Sequence, residues 1–444
     1  MKNIIIVKNK KDCETAINYL STQNKLGVDS ETTGFKAIQE KMLLLQIGNT
    51  YRQYVFDLAR IQDCYGMIRG LLADHTIIKI FHNAKFDYTF IKSTFGIDVH
   101  NVRCTLVAAQ LLTRGIIQAD NSLKGLLSKH LNVNISKSQQ KSFIGAKFGE
   151  EFTDEQLEYA GTDIEHLVNL ENSLLKLLNE RGMHDLYRLE CETTRVTGDM
   201  EYNGLFLDTE MWLGLANKSE KETRVAIAAL DEYFLPYCNM TLFGEADINY
   251  GSPQQLLPIL NKITGQNIES TGEEELKKIN HPVIKPLLAF REHMKKVTTY
   301  GKEFVDKHIN SITGRIHSSF KQLGADSGRM ASGSPNLQNI PAGPEYRECF
   351  RAQHVDYRLI CADFSGQELR LLAHISKEPQ FIYALSNNMD LHSYSASLIF
   401  GIPYDDFFER DEKGDVLLDS AGDPVIKKEM KKKYRNPAKS ITFG

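Results

Sequence analysis

Five short apolar runs fall within the first 83 residues, and they constrain the fold more than any other feature of the chain. NIIIV, KLGVD, MLLLQIG, YVFDL and TIIKIFHN each read as a strand, with NTYR turning the third into the fourth. Helical stretches follow at TLVAAQLL, SLKGLLSKHL and a long segment from about 154 to 180. Thr153 followed by Gln156 is a capping-box signature for that last helix. Strands alternating with helices predict an α/β core that ends near residue 185.

The remainder reads differently. A helix around RLECETTRVTGDMEYNG leads to a turn at Asn203-Gly204 and a mostly helical region to about 307, interrupted at INYGSPQQL. Residues 314–342 are rich in Gly, Ser, Asn and Pro. RLICADF is predicted as a buried strand feeding a helix, and DEKGDVLLDSAGDPV as a surface hairpin. At 444 residues the length suggests about three domains. Seven scattered cysteines without CxxC spacing argue for a reducing compartment and against a disulfide frame or zinc site. The apolar run near the N-terminus is too short for a signal-peptide core, and no stretch approaches the ~18 apolar residues of a membrane span. We therefore expect no membrane partner and a cytoplasmic location. The net charge of −4 does not exclude nucleic acid, because what matters is where the cations cluster.

The first candidate site is built from carboxylates. GVDSETTGF places Asp29 and Glu31 two apart on a strand, hence on one face. FHNAKFDYTFI supplies Asn83 and Asp87 after a strand, and EYAGTDIEHL sets Tyr159 and Asp163 one turn apart on a helix. Carboxylates presented by a strand, a loop and a helix suit two hard cations, which take oxygen ligands and keep several waters. Two such ions about 3.5–4 Å apart activate an attacking water and stabilise the leaving oxygen in phosphodiester hydrolysis. Tyr159 is placed to orient that water. Alone, a DxE on a strand is more often a solvated edge; the reading rests on the three pieces in order.

DxE, NxxxD and YxxxD together resemble the three motifs of the DEDDy 3′–5′ exonucleases. FHNAKFD, YAGTDIEHL and SLKGLLSKHLNVNISKSQQKSF resemble that family beyond the ligands, with Phe143 near where a Trp is often found. The resemblance covers about residues 20–175. It implies an RNase H-like domain acting on single-stranded 3′ ends, with Asp29, Glu31, Asp87 and Asp163 as metal ligands and Asn83 near the DNA.

A second resemblance covers about residues 200–444. SGRMASGSPNLQNIP is similar to the TGRxSSxxPNLQNIP of family A DNA polymerases, with Ser327 replacing Thr. ADFSGQELR resembles their motif A, DYSQIELR, and RNPAK with the following FG resembles motif B, RxxxKxxxFG. The resemblance implies that Asp363 and the Phe364 carbonyl bind the catalytic magnesium ions, two in each active site, with Mn²⁺ fitting the same ligands. Glu368 would sit under the sugar of the incoming dNTP. Arg435 and Lys439 would hold its triphosphate, the one as a fork and the other as a point charge, with His392 adding a contact. Phe443, on the same helix face as Arg435 and Lys439, would pack on sugar and base. Arg329, Asn336, Gln338 and Asn339 would touch the primer-template, and the helix with Lys295, Lys296 and Tyr300 resembles the thumb, a sequence-independent phosphate grip. Pro437 within motif B places the helix start near Asn436, with Arg435 just outside it.

The family's palm uses a second catalytic Asp from a later His-Asp-Glu motif, and the one His-Asp pair here is His184-Asp185, followed by Leu. The expectation is thus an α/β (α+β) chain: an RNase H-like exonuclease domain at 1–185, a thumb region at 186–312, a partial palm at 313–380 and the start of fingers at 381–444. The right-hand polymerase domain would be incomplete and completed by a second polypeptide, from a split, interrupted or truncated gene. The short form suits a phage, which would place the enzyme in host cytoplasm. The rival expectations are a stand-alone 3′–5′ exonuclease with a DNA-binding remnant and a non-catalytic replisome subunit.

Overall fold

All five apolar runs are strands. They are β1 (Ile4–Val7), β2 (Lys25–Thr32), β3 (Met42–Gly48), β4 (Gln53–Asp57) and β5 (Ile78–Phe81), joined by β6 (Val102–Cys104). β6 escaped the sequence reading because its VRC is too short to show a period. In this computed structural model the described residues are 3–443 except 117, 137, 342, 420 and 421; the side chains of Thr442 and Phe443 also lie outside the description. The sheet order is β1-β4-β3-β2-β5-β6. β3 runs antiparallel to both β2 and β4, whereas β1, β5 and β6 join in parallel. Helices α1 (Lys10–Leu20), α2 (Tyr65–Ala73), α3 (Ala84–Phe95), α4 (Thr105–Leu112) and α5 (Leu123–Leu131) connect and cover it.

The segment expected as one long helix is two, α6 (Asp154–Glu165) and α7 (Leu167–Glu180), broken at His166. The capping box is present in both halves: Gln156 N–H donates to Thr153 Oγ1, and Thr153 N–H to Gln156 Oε1. The pleat sorts the sheet's two faces. Leu26, Val28, Leu45 and Ile47 join the main core, while Leu44 and Val55 pack on the other side with Tyr159 and Ala160 of α6. α6 lies very close to the sheet. Gly27 and Gly48 oppose each other on β2 and β3. A Cβ on Gly27 would stand 2.8 Å from the Ile164 carbonyl oxygen, and one on Gly48 would be 3.1 Å from Ile164 Cδ1.

After α8 (His184–Asn203), the short strands β7 (Leu205–Phe206) and β8 (Arg315–Ile316) pair across a helical excursion. The excursion holds α9 (Thr209–Phe234), α10 (Pro253–Thr264), α11 (Glu273–Leu276), α12 (Ile284–Tyr300) and α13 (Lys302–His308). α9 and α12 pack on each other over Leu230, Phe234, Leu287 and Phe290. At its base Trp212 is fully buried, stacked on Phe304 at 4.8 Å and edge-on to Tyr346 at 5.1 Å. The Gly/Ser-rich segment forms an antiparallel pair, β9 (Ser319–Lys321) with β10 (Ala331–Gly333), and α14 (Pro344–Glu348) follows.

The chain divides into two compact units, Met1–Arg358 and Leu359–Gly444. The second contains α15 (Gln367–Ser376), α16 (Pro379–Ser386), α17 (Leu391–Phe400), α18 (Lys428–Met430) and α19 (Asn436–Phe443). RLICADF is not the expected buried strand. It is irregular and exposed, with Leu359 51%, Ile360 88% and Phe364 77% accessible. A strand needs a partner ladder for its N–H and C=O groups, and among the described residues none pairs with this segment. The expected hairpin is present as isolated antiparallel bridges, with a turn at Asp411–Gly414 and a backbone hydrogen bond from Gly422 N–H to the Asp419 carbonyl. Arg435 does not lie outside the helix: Lys431–Arg435 is π-helical and runs straight into α19. The wider π ladder accommodates Pro437, which has no N–H to donate backwards.

A methyl group at Gly27 would first meet the Ile164 carbonyl oxygen, backbone that cannot swing aside, so Gly27→Ala must lift α6 from the sheet. We expect a loss of about 1–3 kcal/mol, measured by urea denaturation; an unchanged midpoint would contradict the close approach.

Candidate active site

The alternation of β2 puts Asp29 and Glu31 on the face that α6 covers, and Ser30 on the other. α6 presents Tyr159 and Asp163 one turn apart above them. One ligand atom from each of Asp29, Glu31 and Asp163 lies within 4.8 Å of the others. Glu31 and Asp163 are buried and Asp29 is half-buried. Carboxylates forced together away from water repel one another unless a proton or cation intervenes. An all-oxygen donor set of this kind fits a hard divalent cation and disfavours soft metals. Among the described residues it is the one such group of three.

Asp87 belongs to the first turn of α3, not to a loop. Asn83 turns the chain from β5 into that helix in the left-handed region, at φ 68°, which Asn tolerates better than most residues. The Asp87 carboxylate is buried and accepts a 2.6 Å hydrogen bond from the Ser30 hydroxyl. It therefore lines the same cleft without joining the three-carboxylate group. Burial pushes its pKa up to about 7, against the Ser30 hydroxyl and backbone N–H groups that favour the anion. Tyr159 is raised above the usual phenol range by burial and then by Asp163, Glu31 and Asp29. Its hydroxyl thus stays protonated and acts as a donor.

The cleft over these groups has a volume of about 790 Å³. Several of its lining residues were not singled out in the sequence, among them Phe35, His82 and Lys321. Phe35, 76% exposed, stands at its edge; only its place just after the DxE could have flagged it. His82 is held by Thr105 at 3.0 Å. Lys321 arrives from β9, far away in sequence. Lys85 ties that wall in place by donating to both Glu201 and the Phe320 carbonyl.

A second cavity of about 1090 Å³ in the same unit gathers Lys295, Lys307, Asn336 and Asn339. Lys296 is paired with Glu292 at 2.7 Å, and Arg329 is exposed in the turn between β9 and β10. Asn336 caps its own turn through Gln338 N–H. The Gln338 amide is spent on the loop, accepting from Ser332 N–H and donating to the Met330 carbonyl. Tyr300 is buried against Trp212 and donates to the Asn339 carbonyl, so it supports the loop rather than gripping phosphate.

In the second unit, Asp363 and Phe364 lie exposed in the irregular segment, and Glu368 sits in the first turn of α15. Arg435 forks onto Asp390 with two 2.8 Å bonds. Burial pulls Asp390 upward, but Arg435 and the Ser393 N–H outweigh it and hold the carboxylate below its usual range. The sequence reading overlooked Asp390, which also caps α17. His392 is lowered by burial and then by the charges of Arg435 and Lys439, against the opposing pull of Asp390, so it sits as a neutral ring near both cations. Phe443's side chain lies outside the described residues.

Because the folded pKa of Asp87 is raised, its stabilising contribution is present at low pH and is lost as pH rises through about 7. A divalent cation in the cleft reverses this preference. We expect Mn²⁺ to raise Tm more at pH 8 than at pH 6, and its binding at pH 6 to release one further proton, measured calorimetrically in buffers of different ionisation enthalpy. Asp87→Asn should abolish that release.

Residues 4–179 match the 3′–5′ exonuclease family, and residues 218–413 match DNA polymerase family A. The chain is 29% identical to DNA polymerase I of Aquifex aeolicus over 99% of its own length and 71% of that protein. It is 33% identical to DNA polymerase I of Chloroflexus aurantiacus, over 73% of this chain and 35% of that one. Among solved structures it resembles the POL domain of Pol1 from M. smegmatis, described in complex with DNA primer-template and dNTP. That likeness has a TM-score of 0.75 at 22% identity and covers 99% of this chain and 70% of the other; it shows the fold. No helix among the described residues is long and apolar enough to cross a membrane. By these matches the chain carries a 3′–5′ exonuclease domain followed by a DNA polymerase family A domain.

Proposed function

We propose that this chain removes nucleotides from DNA 3′ ends by two-metal phosphodiester hydrolysis. The observation that carries the reading is the convergence of Asp29, Glu31 and Asp163 under a protonated Tyr159 in an open cleft. Those carboxylates, with Asp87 across the cleft, would hold two Mg²⁺ ions, which when bound supply charge neutralisation and an activated water. Tyr159 donates a hydrogen bond that orients the attacking water. The exposed Phe35 ring offers a stacking surface for a terminal base, and Asn83 lies on the same wall.

For the polymerase region, Asp363 and the Phe364 carbonyl are the proposed metal ligands. Glu368 lies under the nucleotide sugar, and His392, Arg435, Lys439 and Phe443 take the dNTP. Lys295, Lys296, Arg329, Asn336, Gln338 and Asn339 face the primer-template. We read residues 1–185 as the exonuclease domain, 186–312 as thumb, 313–380 as palm and 381–444 as the start of fingers. Asp363 stands exposed, outside the one three-carboxylate group among the described residues. Primer extension then requires a further carboxylate, supplied by a second polypeptide. A stand-alone exonuclease is the reading that remains if no such polypeptide restores extension.

The purified chain, given Mg²⁺, dNTPs and a primer-template, should shorten the primer without extending it. Asp29→Ala should abolish shortening, and Tyr159→Phe should lower its rate by about 10²-fold. Extension by the chain alone, or shortening that survives Asp29→Ala, would overturn the assignment.

A further inference from the structure

Gln46 occupies the centre of β3 and is fully buried. Neither its amide nitrogen nor its amide oxygen has a hydrogen-bond partner among the described residues. A buried primary amide with nothing to bond is costly, because each group left unbonded keeps its full desolvation penalty. A leucine or methionine would pack in such a place without that cost, so the amide calls for a reason.

The ladder supplies one. Gln46 stands directly opposite Asp29 on β2, so the two side chains share a face with Cβ atoms about 4.5–5.5 Å apart. It is the face covered by α6, where the next rung in one direction is Gly27 with Gly48 and in the other is Glu31 with Leu44. Gln46 therefore lies in one layer with the candidate metal ligands but forms no part of the cleft wall. It sits behind the carboxylates, on their protein side.

We propose that Gln46 is a positioning residue for the cation site. Its amide N–H donates to the Asp29 carboxylate, directly or through one buried water, when a divalent cation draws that carboxylate into its ligating orientation. Ligating carboxylates are themselves hydrogen-bonded from behind, and losing such a partner costs about 10–100-fold in metal affinity. This inference rests on the hydrolase reading of the first cleft.

The test is a pair of measurements on the full chain with Gln46→Met, which keeps length and removes the amide. Mn²⁺ affinity, followed by calorimetric or spin-resonance titration, should fall about 10–100-fold. Metal-free Tm should stay level or rise, because an unbonded amide has been removed from the core. A merely structural Gln46 predicts the reverse: lower Tm and unchanged affinity. Gln46→Glu, with a charge in place of the donor, should weaken binding at least as far if folded, and its folding is checked by circular dichroism. Equal Mn²⁺ affinity in wild type and Gln46→Met overturns the proposal. Absence of Mn²⁺ binding in the wild-type chain that Asp29→Ala removes overturns the underlying reading instead.

Discussion

The close contact of α6 with two glycines is the constraint on which the first site depends. Gly27 and Gly48 leave the sheet bare where Ile164 crosses it. That lets the helix backbone settle on β2, and Asp163 comes down to meet Asp29 and Glu31. The carboxylates themselves oppose this approach, since each raises the free energy of its neighbours' charged forms. What holds them together is apolar packing one layer away, where Leu44, Val55, Leu157 and Ala160 close the face. Three like charges are thus gathered by groups that carry none.

The second unit shows the opposite balance. Its charged groups find one another directly: Arg435 locks onto Asp390, and His392 and Lys439 lie near. Several of its apolar groups remain uncovered, as on α15, where Leu371 and Ile375 are 53% and 77% exposed one turn apart. The bidentate pair fixes the approach of the π-helical stretch to α17 while leaving Lys439 in solvent. A triphosphate at this place would compete with Asp390 for the same guanidinium.

Much of the first unit was legible in the sequence because its signals are local. Apolar runs marked five of the six strands of the large sheet, the Thr153/Gln156 pair marked the start of α6, and spacing put Asp29 with Glu31 and Tyr159 with Asp163. α3 was missed because its helix begins at a left-handed Asn83, which carries no side-chain cap to announce it. RLICADF misled because apolar content reports a segment's preference for burial, while a strand needs a neighbour. Gln46, Asp390 and Lys321 were invisible for another reason. Their roles depend on what lies across a ladder, a helix start or a hairpin, and no one-dimensional spacing encodes those meetings.

The link from Lys85 to Glu201 and the Phe320 carbonyl has a wider meaning. One wall of the carboxylate-lined cleft is made by a hairpin more than 150 residues downstream of Asp163. The two halves of this protein are therefore not interchangeable cassettes. A recombination event that exchanged only residues 1–185 would import every acidic ligand while leaving the opposite wall to a stranger. Natural variation at Lys85, Glu201 and the β9 hairpin should accordingly travel as a single hereditary block.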